Sequence, residues 1–176
     1  SRELVVLAVM IALAVIGRVA IPIPHFKAAF AIIMLTGIAF GPEAGFIVGS
    51  MTAVVSNMFY GQGPWTPFQM FVWGFIGFLA GVIFRKSKKP NRIVLSIVGA
   101  FGGVLFSLLM DIWTTLSLDG EFLLSRYLVN VASSLSFMAI YAVSNIVFLI
   151  ILAHPFLEKL NRIKTKYGIF GLLSNE

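Results

Sequence analysis

The 176-residue chain carries 13 Lys and Arg against 7 Asp and Glu, is 59% apolar and has no cysteine. Its charged fraction of 11% and mean hydropathy of +0.98 lie far from soluble domains, where about a quarter of residues are charged. This composition excludes disulfide frameworks, thiolate metal sites and cysteine nucleophiles. The net charge of +6 is explained by membrane topology and not by nucleic acid, because the cations sit in loops beside apolar runs.

Several runs approach the ~20 residues that cross a bilayer as a helix. They predict an all-α membrane protein, a compact bundle of six transmembrane helices forming a single domain over 1–176. Arg2 and Glu3 lead directly into the first span, about 4–21, so no cleavable leader is expected here. Pro22 and Pro24 stop that span by removing backbone donors. The second span, about 28–41, is short and ends at Gly41-Pro42. Pro42 and Glu43 suit the first turn of the third, about 43–60, where a carboxylate meets the positive end of the helix dipole.

A loop rich in aromatic rings, amides and helix breakers, Gly61-Gln62-Gly63-Pro64-Trp65-Thr66-Pro67, leads into the fourth span, about 67–84. The basic loop 85–92 follows, then span five at about 93–116, an acidic loop at Asp119-Gly120-Glu121, and span six at about 125–153. The basic tail, 154–176, includes an alternation of apolar and basic residues over 156–163. That pattern suits a helix lying on the anionic inner leaflet, with a simple solvated tail as the alternative.

Orientation follows from the cations. An even number of spans places Arg2, the five cations of 85–92 and Lys159, Arg162, Lys164 and Lys166 on one side. Cytoplasmic loops are enriched in Lys and Arg, so both termini are expected in the cytoplasm. Arg18, Lys27 and Arg126 then fall in the outer half with His25, Asp111, Asp119 and Glu121, and their depth makes them functional candidates.

The outer loops carry the candidate binding residues. His25, Phe26 and Lys27 precede span two, while Tyr60, Gln62, Trp65, Phe68, Gln69 and Trp73 surround the start of span four. An interfacial aromatic belt explains rings but not the amides, and Gln69 and Trp73 share a helix face at i and i+4. Asp111 and Thr114 near the end of span five, and Arg126, Tyr127 and Asn130 at the start of span six, add polar groups at similar depth. Asp111 and Arg126 are expected either to pair with each other or to contact ligand.

Small residues Ala8 and Ala12 on span one permit close helix approach, within the bundle or with a partner. Gly37, Gly41, Gly45 and Gly49, four residues apart, fit tight helix packing. No catalytic constellation appears: His25 and His154 fall on opposite sides, and no metal-ligand, phosphate-loop or nucleophile-elbow motif occurs. A binding protein without enzymatic chemistry, metal or cofactor of its own is expected.

Six spans in so short a chain, Ala8-x-x-x-Ala12, the Phe-Gly-Pro-Glu-Ala-Gly turn at 40–45 and the basic loop after span four together resemble the S-components of energy-coupling factor (ECF) vitamin transporters. The segment Gly61 to Met70 looks most like the cobalamin-specific branch. The resemblance implies a multi-pass protein of the prokaryotic plasma membrane that binds a vitamin near the outer surface, among residues 22–27, 60–67 and 117–125. It also implies docking through Ala8 and Ala12 on a transmembrane coupling subunit, with two partner ATPase subunits driving reorientation. A stand-alone secondary transporter, another vitamin, and a membrane enzyme or structural subunit are the alternatives.

Overall fold

The computed structural model describes residues 1–87 and 89–171. Lys88 of the basic loop and residues 172–176 of the tail lie outside them. The described residues form six helices and no strand: α1 Arg2–Val19, α2 Ala29–Phe40, α3 Pro42–Tyr60, α4 Thr66–Ile83, α5 Arg92–Leu116 and α6 Leu124–Tyr167.

Three of these, α4, α5 and α6, are long and apolar enough to cross a membrane. At 1.5 Å per residue the 12-residue α2 spans about 18 Å, short of a ~30 Å hydrocarbon core. It is apolar all round because it is the centre of the bundle. Every residue of α2 except Ile38 is buried, and the helix meets each of the other five, the expected setting for a helix without a polar face.

Helix ends follow the breakers. α1 stops at Val19, ahead of Pro22, and Pro42 occupies the first turn of α3 after Gly41, whose φ of 106° suits glycine. Close approach of α2, α3 and α4 depends on glycine at the contact: a Cβ on Gly77 would stand 2.3 Å from the Gly45 carbonyl oxygen, and one on Gly37 would stand 2.2 Å from that of Gly77. Where apolar lipid offers no hydrophobic drive between helices, such backbone-to-backbone packing holds them together. Gly103 lets α5 press on the backbone of α6 at Tyr141 and Ala142 in the same way.

The largest departure from the sequence expectation is α6. The helix does not end near Ala153; it runs through Pro155 to Tyr167, 44 residues in all. Leu157 and Leu160 are buried in the main core, so the expected separate surface helix over 156–163 is instead the last part of α6, held by packing. Gly168 ends it in the left-handed conformation. The chain then turns back, stacking Phe170 on Phe40 with ring centroids 4.6 Å apart and donating the Phe170 N–H to Glu3 Oε1 at 3.3 Å. The two ends of the described chain therefore lie together, beside the α2–α3 turn.

Candidate functional site

At the opposite end of the bundle a cavity of about 440 Å³ opens between the α1–α2 loop and helices α3 to α6. Its walls are rings: Phe30 of α2, Trp73 of α4, Phe106 of α5 and Tyr141 of α6. Phe30 lies 4.8 Å from both Trp73 and Phe106, and Phe106 meets Tyr141 edge-on at 5.0 Å. Such tilted contacts fix the rings against one another.

The polar side of the cavity is built on Arg18, at the last turn of α1. Its guanidinium stands 4.8 Å from the Tyr60 ring centroid and 4.9 Å from that of Trp73. Nη1 donates to Asn57 Oδ1 at 2.7 Å and to Ser56 Oγ, and Asn57 Nδ2 in turn donates to Gln69 Oε1 at 2.6 Å. The Tyr60 hydroxyl donates to the Arg18 carbonyl at 3.1 Å. Among the described residues those that line the cavity include Arg18 and Lys27 and no carboxylate. The indole N–H of Trp73 is buried with no hydrogen-bond partner among the described residues.

The loop over the cavity is tied to α6. Ser144 Oγ accepts from the Lys27 backbone N–H and donates to the Lys27 carbonyl, both at 2.9 Å, while the Lys27 ammonium donates to the Ile21 carbonyl. His25, in the left-handed region at φ 62°, hydrogen-bonds the Tyr141 hydroxyl through Nδ1 at 2.7 Å and lies 4.3 Å from the Phe137 ring. Burial holds its imidazole below the ordinary histidine value, and the Lys27 charge pushes in the same direction.

Of the residues anticipated for binding, His25, Lys27, Tyr60, Gln69 and Trp73 line this cavity. The others lie elsewhere. Phe26 packs on Phe148 at 5.1 Å, and Phe68 faces Trp113 at 6.3 Å. Gln62 braces the loop, donating to the Val54 carbonyl at 2.7 Å and accepting from Thr66 Oγ1 at 3.0 Å. Trp65 is exposed, its ring filling the space where a Gly63 side chain would stand.

The α5–α6 seam accounts for the rest. Asp111 accepts from Ser134 Oγ at 2.6 Å, Asn130 donates to Thr115 Oγ1 at 3.0 Å, Tyr127 donates to the Leu108 carbonyl at 3.0 Å, and Thr114 bonds its own helix at Met110. Arg126 does not pair with Asp111; it forks onto Asp119 at 2.9 and 3.1 Å, because the loop carboxylate lies in reach while Asp111 is buried one helix away. Arg126 and then the Glu121 N–H hold the Asp119 carboxyl below its usual range. Ala8 and Ala12 are both exposed on α1.

Phe30, Phe106 and Tyr141 complete the cavity without having stood out in the sequence. Each lies inside an apolar run, and only the side-by-side placement of α2, α5 and α6 distinguishes them. Among the described residues no group of His, Asp and Glu could hold a metal ion.

A family model described as ECF-type riboflavin transporter, S component, matches residues 1–162. No curated protein and no solved structure matches the chain. The match takes in all six helices except the last turn of α6 and the returning segment beyond it, and on that ground the chain belongs to the family of S components of ECF-type riboflavin transporters.

Proposed function

We propose that the chain is the substrate-binding membrane subunit of an ECF importer and that its substrate is a flavin of riboflavin's size, held in the cavity beside Arg18. The observation that carries this reading is the pairing of an aromatic wall with an amide and guanidinium edge. A flat heteroaromatic ring lies against Phe30, Trp73 and Phe106, while Arg18 and Gln69 reach its carbonyl and ring-nitrogen edge. At 440 Å³ the cavity is near the small end of ligand sites, roughly 300–1,000 Å³. That size suits a tricyclic vitamin and is small for a corrin macrocycle, and Gln62, Trp65 and Phe68, which suggested cobalamin, brace the loop or pack beside the cavity. A flavin bearing a terminal phosphate is the second reading, favoured by two cations and no carboxylate in the lining.

The two ends of the described chain, lying together with the described part of the basic tail, are assigned to the cytoplasm, and the cavity to the outer face. The exposed Ala8 and Ala12, flanked by exposed Leu4 and Ile16, form the face offered to the coupling subunit, with two ATPase subunits supplying the energy for reorientation. Calorimetry of the purified chain with riboflavin, flavin mononucleotide and cobalamin tests the substrate. Tight riboflavin binding is expected; binding of cobalamin alone would restore the corrin reading, and silence to all three would overturn the binding role. Replacing Ala8 and Ala12 by Trp is expected to leave vitamin affinity unchanged and to abolish co-purification with the coupling subunit.

A further inference from the structure

Between α1 and α6, toward the end where the two ends of the described chain meet, runs a second cavity of about 410 Å³. Val5, Val9 and Leu13 of α1 form one wall, and Leu152, Phe156 and Ile163 of α6 the other. It is a groove on the membrane-facing side: Val5 and Val9 are exposed, and Pro155 is exposed at its edge. Among the described residues Lys159 is the one ionisable residue in its lining.

Lys159 is exposed, and its neighbour Glu158 is turned to Arg162 at 4.0 Å. No ion pair involves Lys159 among the described residues. Beyond it the surface turns more basic. Arg2 at the start of α1 and Lys166 at the end of α6 stand on the same Tyr167 ring, 5.3 and 5.4 Å from its centroid. A cation at the rim of an apolar, lipid-facing groove favours a phosphate beside it, since hydrocarbon supplies no counter-charge. Apolar length followed by positive charge is the complement of a single class of molecule.

We propose that the α1–α6 groove binds one anionic phospholipid of the leaflet at which the two ends of the described chain lie, with an acyl chain between Leu13 and Leu152 and the phosphate on Lys159. Arg2 and Lys166 extend the positive field over the headgroup. The lipid closes the gap that α1 leaves against α6 and borders the Ala8–Ala12 face, so it would form part of the surface that a partner helix meets. This inference stands on groove and charge and is independent of which vitamin is bound.

The test is native mass spectrometry of the purified full chain titrated with phosphatidylglycerol and, separately, with phosphatidylcholine. One retained phosphatidylglycerol is expected, in preference to phosphatidylcholine. Lys159→Gln should reduce that preference about fivefold, and Val9→Trp, which fills the groove, should lower retention of both lipids. Unchanged melting curves show that the variants remain folded. Equal retention of the two lipids by the wild type would overturn the proposal, as would a preference that survives Lys159→Gln and falls only in an Arg2→Gln, Lys166→Gln double variant. The latter outcome would mean diffuse surface attraction without a groove site.

Discussion

Arg18 and Trp73 touch in the wall of the cavity, the guanidinium 4.9 Å from the indole centroid, with Tyr60 on the other flank at 4.8 Å. A cation shared by two rings is held in one orientation, and its remaining donors are aimed by Asn57 and Ser56. Lysine cannot stack as a plane or donate as a fork. Arg18→Lys is therefore expected to weaken riboflavin binding about tenfold, ~1.4 kcal/mol, without loss of fold. Arg18→Ala also leaves Asn57 Oδ1 and Ser56 Oγ without their donor, so it should lower the melting temperature as well. Calorimetry beside a melting curve separates the two effects; wild-type affinity in Arg18→Lys would remove the guanidinium from the binding account.

The glycine contacts make an ordered prediction. Gly77→Ala puts a methyl group 2.3 Å from a backbone carbonyl that cannot move without shifting α3, whereas a Cβ on Gly102 meets nothing nearer than 3.6 Å. Overpacking of this kind costs about 1–3 kcal/mol, occasionally more. Gly77→Ala and Gly45→Ala should unfold well below the wild type in detergent, and Gly102→Ala close to it. Equal midpoints for all three would mean that α2, α3 and α4 are not packed backbone to backbone.

How far the sequence carried depends on the kind of signal. Pro22, Gly41, Pro42, Gly61 and Pro67 act locally, so the ends of α1 to α4 were readable within a residue or two. The basic tail from 154 onward misled because clustered cations ordinarily mark an exit from the membrane, and the spacing of Leu157 and Leu160, which continues the buried face, is equally compatible with a surface helix. Gln69 and Trp73 could be paired from their spacing. Gln62 and Trp65 have the same chemistry but turn to the loop itself, Gln62 through hydrogen bonds to Val54 and Thr66 and Trp65 by laying its ring beside Gly63. Arg126 was expected to pair with Asp111 or to contact ligand, and it takes Asp119 instead because sequence distance does not say that Asp111 is buried behind Ser134.

The loop over the cavity should respond to acid. His25 is held below its ordinary pKa by burial first and Lys27 second. As pH falls, the unfolded chain takes up this proton before the folded one does. The stability it contributes is thus complete above the unfolded value of about 6.5 and is lost as pH drops through the folded value. The melting temperature is expected to be level from about pH 7 to 8 and to decline below about pH 6.5. His25→Asn, which tolerates a φ of 62°, should abolish the decline in this window while lowering the midpoint throughout by the loss of the Tyr141 bond. A variant profile parallel to the wild type would show that another group titrates there.

The end of α6 distinguishes packing from surface attraction. If residues beyond Ala153 lay on the membrane as a separate helix, removing them would leave the bundle's melting temperature unchanged. In the structure Leu157 and Leu160 are buried with Ala153 and Leu149 in the same core as α1 and α2, and Phe170 covers Phe40. Truncation after Ala153 is accordingly expected to destabilise the protein strongly. Leu157→Ala alone should cost about 2–5 kcal/mol, the range for a buried leucine. Arg162→Gln, whose exposed side chain reaches Glu158 only at 4.0 Å, should cost under about 0.5 kcal/mol, as an exposed helix pair does. Thermal unfolding of the three variants in one detergent decides the matter: losses confined to the truncation and Leu157→Ala place this segment in the bundle, and a chain that melts normally without it would return it to the membrane surface.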